Sequence, residues 1–192
     1  SLMLFLISMI GSPGPANMLM VASGLKFGFK KSLPFVFGII FSKQFIIWPI
    51  ALGIVNISST SDVLYNLMKY IASAYILYLA LKMYNIKITS SVVNEQPPTF
   101  LQGLMVHPLN PKAWLMIATA SASFIPNTMT PLEAALVLAP TFFSVQLVLH
   151  PMWCLFGSWV ADKIAGTVYE RVFILAIIGL TFLSVLLILL SE

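Results

Sequence analysis

The stretch Ser12-Pro13-Gly14-Pro15-Ala16-Asn17 decides how this chain is read. Two prolines around a glycine cannot carry a continuous helix. Pro13 and Pro15 lack the N–H groups that would bond the carbonyls of Met9 and Gly11, and Gly14 can take backbone angles other residues avoid. In water the stretch would read as a loop. Here Leu2 to Ile10 precede it and Met18 to Leu25 follow it, both largely apolar, so the break falls in the middle of a membrane span. Broken backbone at that depth is tolerated only against protein or a water-filled cavity. The expectation is a transport pathway.

The rest of the chain has the composition that such a span requires. Of 192 residues, 59% are hydrophobic and 8% charged, where a soluble domain carries roughly 25% charged residues. The mean hydropathy is +0.98. Six runs are long enough to cross a hydrocarbon core of about 30 Å, which takes about 20 helical residues: Leu2–Leu25, Leu33–Val55, Leu64–Tyr84, Phe100–Ile125, Leu132–Val160 and Val172–Leu190. Short polar connections join them: Lys26 to Lys31, Asn56 to Val63, Asn85 to Thr99, Pro126 to Pro131 and Ala161 to Arg171. The predicted fold is an all-α polytopic membrane protein of six transmembrane helices, one domain over residues 1–192. The first run has no small-residue cleavage site and ends in basic residues, so it reads as a span and not as a cleaved signal.

Several function classes are excluded. The single cysteine, Cys154, rules out an internal disulfide, a CxxC redox pair and a cysteine-rich metal site. No P-loop is present, so no ATP-hydrolysing machinery is visible, and no cofactor is expected. The net charge of +4 is accounted for by topology, without a nucleic-acid partner. Lys26, Lys30, Lys31, Lys82, Lys87, Lys163 and Arg171 sit in or beside the first, third and fifth connections. The second and fourth hold no basic residue, although Lys69 lies near the outer end of a span. Basic loops stay on the cytoplasmic side, so both termini are expected outside.

Sliding the chain by 96 residues aligns Gly14-Pro15-Ala16-Asn17-Met18-Leu19-Met20-Val21-Ala22-Ser23 with Asn110-Pro111-Lys112-Ala113-Trp114-Leu115-Met116-Ile117-Ala118-Thr119. Pro15/Pro111, Leu19/Leu115, Met20/Met116 and Ala22/Ala118 are identities. Three spans per half is an odd number, so residues 97–192 would enter the membrane upside down relative to residues 1–96. Inverted repeats whose matched helices are interrupted by proline point to a transporter's site. Helices 1 and 4 are therefore expected to break at the midplane.

Depth can be counted at 1.5 Å per residue. Gly14 lies eleven residues from Leu25, Pro111 eleven from Phe100, Lys43 ten from Leu33 and His150 ten from Val160. Each count gives about 15 Å, half the core thickness. Lys112 and His107 lie within a turn of that depth. A lysine at the centre of a span costs about 2.5–3.5 kcal/mol, and Asp62, Glu95, Glu133, Asp162, Glu170 and Glu192 all fall in loops or at span ends. Lys43 is then neutral when the site is empty, or charged and waiting for an anion such as a substrate carboxylate. Half-helices starting after Pro15 and Pro111 would favour the same group through their positive ends. Lys112 either binds substrate and orients its half-helix or faces a vestibule. His107, His150 and Lys43 are the candidate proton-titrating groups, and Gln146, four residues before His150, can orient it. Gly38 and Ser42 suit close helix packing, while Tyr75 and Tyr78 read as packing or lining residues.

With SPGPAN in the first span, YIASAYILYLALKMY closing the third and FLQGLMVHPLNPKAWL opening the fourth, the sequence resembles the LysE/RhtB family of amino-acid exporters. The resemblance covers nearly the whole chain. It implies a multi-pass protein of the bacterial inner membrane that exports amino acids or close derivatives, with the proton as the implied coupling ion. It places the motif on Pro13, Gly14, Pro15, Asn110, Pro111 and Lys112, to which Asn17 and Lys43 are added as substrate-binding residues. Partners are the small solute, the coupling ion and the bilayer, with self-association left open. Two positions depart from the family pattern: Ala16 stands where a polar residue is common, and Lys43 stands where the second span commonly carries an acid. The second departure favours neutral or acidic amino acids, or another small carboxylate, over cationic ones. A rival reading is an intramembrane hydrolase with Ser12 or Ser144 as nucleophile and His150 as base, but no G-x-S-x-G pattern supports it.

Overall fold

Prolines and capping side chains set where the helices begin. In the computed structural model, the described residues are 1–54, 70, 73–74, 77–78, 81 and 96–190, and among them the regular structure is entirely helical. Helix α1 (Leu2–Gly11) and helix α2 (Pro15–Phe27) are the two halves of the first expected span, bent by 53° at the SPGPAN break. Pro15 opens α2, where its missing N–H is no loss. Helix α3 (Phe29–Ser42) and helix α4 (Gln44–Ala51) form the second. Helix α5 (Phe100–Leu104) starts in a capping box between Thr99 and Gln102, and helix α6 (Pro111–Phe124) starts on Asn110 with Pro111 in its first turn. Helix α7 (Pro131–Ile164) opens on a second capping box, Thr130 with Glu133, and runs for 34 residues; helix α8 (Val168–Leu190) closes the described chain.

By length and composition, α7 and the continuous α3–α4 stretch of 23 residues can each cross a membrane, and the bent α1–α2 pair makes a third if counted as one span. The breaks expected in helices 1 and 4 are present: residues 12–14 separate α1 from α2, and residues 105–110 separate α5 from α6.

Other boundaries differ from expectation. The second span starts at Phe29, not Leu33, because Gly28 alone makes the turn from α2, in the left-handed region at φ 78°. It is also divided at Lys43, whose backbone stays helical (φ −68°, ψ −27°) while α3 ends and α4 begins. The connection expected over Ala161–Arg171 shrinks to residues 165–167. Gly166 turns there with φ 73°, and its N–H donates to the Glu170 carboxylate at 2.9 Å. Charged residues at a helix end had made that boundary look earlier than it is. The expected third span, Leu64–Tyr84, lies outside the described residues apart from Tyr70, Ser73, Ala74, Leu77, Tyr78 and Leu81. Asn56–Val63, residues 85–95 of the long connection, Val55, Asp62, Lys69, Tyr75, Lys82, Lys87, Glu95 and Glu192 also lie outside them.

The apolar interior divides into clusters between different helices. Leu6, Ile10, Ile47, Ile117, Leu138 and Phe142 join α1, α4, α6 and the first half of α7. Met20, Val36, Ile39, Ile40 and Cys154 join α2, α3 and the second half of α7, and Leu25, Val160 and Ile174 extend that packing to α8. Two glycine crossings bring backbones together. A Cβ on Gly24 would strike the Cys154 carbonyl, and one on Gly157 would strike the Val21 carbonyl, which fixes α2 against α7. Gly38 and Gly103 oppose each other in the same way between α3 and α5, as the small-residue pattern around Gly38 predicted. Ser42 instead donates its hydroxyl to the Ile39 carbonyl at 2.7 Å.

Candidate functional site

At the first break side chains bond several of the carbonyls that lack a regular helical partner. The Ser12 hydroxyl donates to the Met9 carbonyl at 2.9 Å, replacing the bond that Pro13 cannot make. Asn17, in the first turn of α2, turns back so that its amide Nδ2 donates to the carbonyls of Ile10 and Ser12, each at 2.8 Å. The Met18 N–H bonds the Gly14 carbonyl at 2.9 Å. Gly14 itself is extended (φ −172°, ψ 171°) and carries no side chain into the space beside it.

At the second break the backbone is held by a different set. Asn110 Oδ1 accepts the Lys112 N–H at 3.1 Å and caps α6. The Asn110 N–H donates to the His107 carbonyl at 2.9 Å, and Trp114 Nε1 donates to the Pro108 carbonyl at 3.0 Å. His107 is only 3% exposed, yet among the described residues neither of its ring nitrogens has a hydrogen-bond partner.

Lys112 links the two breaks across 100 residues of sequence. Its Nζ donates to the Ser12 hydroxyl oxygen at 2.8 Å and lies 3.5 Å from the Pro13 carbonyl. A Cβ on Gly14 would sit 3.2 Å from that Nζ, so glycine leaves the room the ammonium needs.

One cavity runs between these parts. It encloses about 310 Å³ of empty space, the part continuous with solvent included, and is lined by Gly14, Pro15, Asn17, Lys43, His107, Asn110, Lys112 and His150 together with apolar neighbours such as Met9 and Met116. Among the described residues no aspartate or glutamate lines it. Lys43 is 1% exposed, and its Nζ stands 5.5 Å from the centre of the Phe142 ring, a cation–π arrangement. His150, equally buried, has its Nδ1 3.5 Å from Gln146 Nε2 and its ring centre 5.7 Å from that of His107. A cavity with two lysines, two histidines and no acid among the described residues attracts negative charge, and the low dielectric around it strengthens that attraction.

The candidate site residues thus meet around one space, with two exceptions. Pro13 is exposed and does not line the cavity. Pro111 opens α6, and its side chain is not among those described. Asn17 lines the cavity, but both bonds of its amide nitrogen go to backbone carbonyls of the break. Phe142 was missed by sequence reasoning. The signal was a spacing of four, since Phe142, Gln146 and His150 fall on one face of α7. Neither serine of the hydrolase reading bonds a histidine: the Ser12 hydroxyl donates to Met9, and the Ser144 hydroxyl donates to the Pro140 carbonyl at 2.8 Å.

Comparison with known proteins finds a family and relatives for the chain. A model of the family described as LysE type translocator matches residues 7–192. An uncharacterized membrane protein of Bacillus subtilis (strain 168), YrhP, is 26% identical over 170 residues, covering 80% of this chain and 78% of that protein. A protein named leucine efflux protein, from Klebsiella pneumoniae subsp. pneumoniae, is 26% identical over 155 residues, covering 77% of this chain and 73% of its own length. No solved structure matches significantly.

Proposed function

Because this chain belongs to the LysE type translocator family, we propose that it is a secondary-active exporter of amino acids or related small carboxylates across the bacterial inner membrane. The observation that carries this reading is the cavity between two proline-broken helices, lined by no acid among the described residues and with Lys43 buried on its wall. Lys43 holds the substrate carboxylate there, and the opening turns of α2 and α6, after Pro15 and Pro111, add their positive ends. Pro13, Gly14, Pro15, Asn17, Asn110 and Pro111 shape the two breaks, while Lys112 completes the cradle. The relative named for leucine efflux, and the apolar neighbours Met9, Ile10, Ala113 and Met116 on the cavity wall, favour an aliphatic α-amino acid such as leucine.

The two halves, residues 1–96 and 97–192, act as inverted three-helix repeats that rock around this site, with both termini outside and the proton as coupling ion through His107, His150 or Lys43. The test is counterflow in proteoliposomes loaded with a panel of amino acids, for wild type and Lys43→Ala. Specific flux of a neutral amino acid that Lys43→Ala abolishes is the expected result. Absence of flux for every member of the panel, or an unaffected variant, contradicts the reading.

A further inference from the structure

A zwitterionic amino acid brings two charges into the cavity, and Lys43 meets only one of them. The ammonium group needs an acceptor, because a buried cation without one is strongly destabilised. Among the described residues no carboxylate lines the cavity, and the acceptors they offer are neutral. Most neutral acceptors nearby are already engaged. The carbonyls of Met9 and Ile10 bond Ser12 and Asn17, the Gly14 carbonyl bonds Met18, and Asn110 Oδ1 bonds the Lys112 N–H. His150 Nδ1 faces Gln146. His107 lines the cavity, is buried, and has neither ring nitrogen bonded by a described protein group; Gln146 Oε1, equally without a partner among the described residues, does not line the cavity.

We propose that His107 is the acceptor for the substrate's ammonium group. A neutral imidazole carries one N–H and one bare nitrogen, and the bare nitrogen takes the ammonium proton in a hydrogen bond. The inference rests on the amino-acid exporter reading and deepens it. The carboxylate is read from the α3–α4 junction at Lys43, and the ammonium from the turn between α5 and α6. The other titratable groups on the cavity are Lys43, Lys112 on α6 and His150 on α7, while α1 and α2 contribute none to its lining. Lys43 and Lys112 donate when charged, and His150 has Gln146 at its Nδ1. Binding also excludes a proton from the same nitrogen, because a protonated imidazole has no acceptor left. Departure of the amino acid and arrival of a proton at His107 are then two sides of one exchange.

The experiment compares L-leucine with 4-methylpentanoate, the same skeleton without the amine, binding to the purified full chain in nanodiscs. Wild type is expected to bind leucine on the order of ten- to a hundredfold more tightly, the size of a hydrogen bond to a charged group. His107→Phe is expected to bring the two ligands within about threefold by weakening leucine alone. His107→Gln keeps a side-chain acceptor and retains most of the preference. Equal affinities in wild type, an undiminished preference in His107→Phe, or equal loss of both ligands in a folded His107→Phe overturns the proposal. If His107→Phe does not fold, the wild-type ratio and His107→Gln decide. 4-Methylpentanoate binding that Lys43→Ala removes keeps the exporter reading even when the His107 role fails. Binding of neither ligand to wild type rejects both.

Discussion

The two helix breaks face one cavity but are built differently. At SPGPAN the loose backbone groups are answered from within the break, Ser12 bonding Met9 and Asn17 bonding Ile10 and Ser12. Around HPLNPK the backbone is capped by Asn110 and Trp114, but the His107 ring is left buried with both nitrogens open among the described residues. The first break is closed on itself, and the second keeps polar atoms in reserve. Two broken helices related by sequence can therefore divide the work, one as a hinge-like scaffold and one as a reader of the ligand. Lys112, which starts in the second and bonds Ser12 in the first, holds the pair together.

Substitutions can break or sharpen that division. The largest effect is expected for Lys43→Ala: about a hundredfold or greater loss of leucine counterflow, because the buried cation proposed to meet the carboxylate is gone. Lys112→Met removes the bond between the breaks while keeping length and apolar bulk. It should lower the transport rate about tenfold, with a smaller effect on equilibrium binding, as measured by initial counterflow rates beside calorimetry. Asn17→Ala leaves two buried carbonyls unmet and should destabilise the fold by about 1–3 kcal/mol without changing the preference for leucine over 4-methylpentanoate, measured by thermal melting and competition. The smallest effect is expected at Phe142. Phe142→Leu should raise the KM two- to fivefold, the scale of a lost cation–π contact of about 0.5–1 kcal/mol, and Phe142→Trp should restore it.

Much of the site was legible in the sequence because its parts are anomalies. Prolines inside apolar runs, a lysine ten residues into a span and histidines before prolines are each hard to place in hydrocarbon, and counting helical rise put them at one depth. The helix breaks followed from paired prolines with a glycine or asparagine between them, whereas the single prolines Pro34, Pro49, Pro140 and Pro151 lie inside helices. The irregularity at Lys43 did not follow, since nothing in FSKQFIIW forbids a helix and its backbone angles remain helical. Phe142 was hidden among fourteen phenylalanines, where an aromatic at helical spacing is ordinary packing. The direction of the Asn17 amide was not legible, because a side-chain amide near a break can turn either way; in the fold its nitrogen bonds Ile10 and Ser12. The turn at Gly28 was equally illegible: glycine permits a left-handed angle but does not demand one.

The division between a self-contained break and a ligand-reading cavity is tested most directly by one melting experiment. Wild type, Lys43→Ala and Asn17→Ala are melted with and without saturating leucine, so that fold stability and ligand stabilisation are read from the same curves. The expected result is that Asn17→Ala melts lower than wild type yet keeps the full upward shift with leucine, while Lys43→Ala melts near wild type and loses the shift. A shift that survives in Lys43→Ala and disappears in Asn17→Ala would contradict the account.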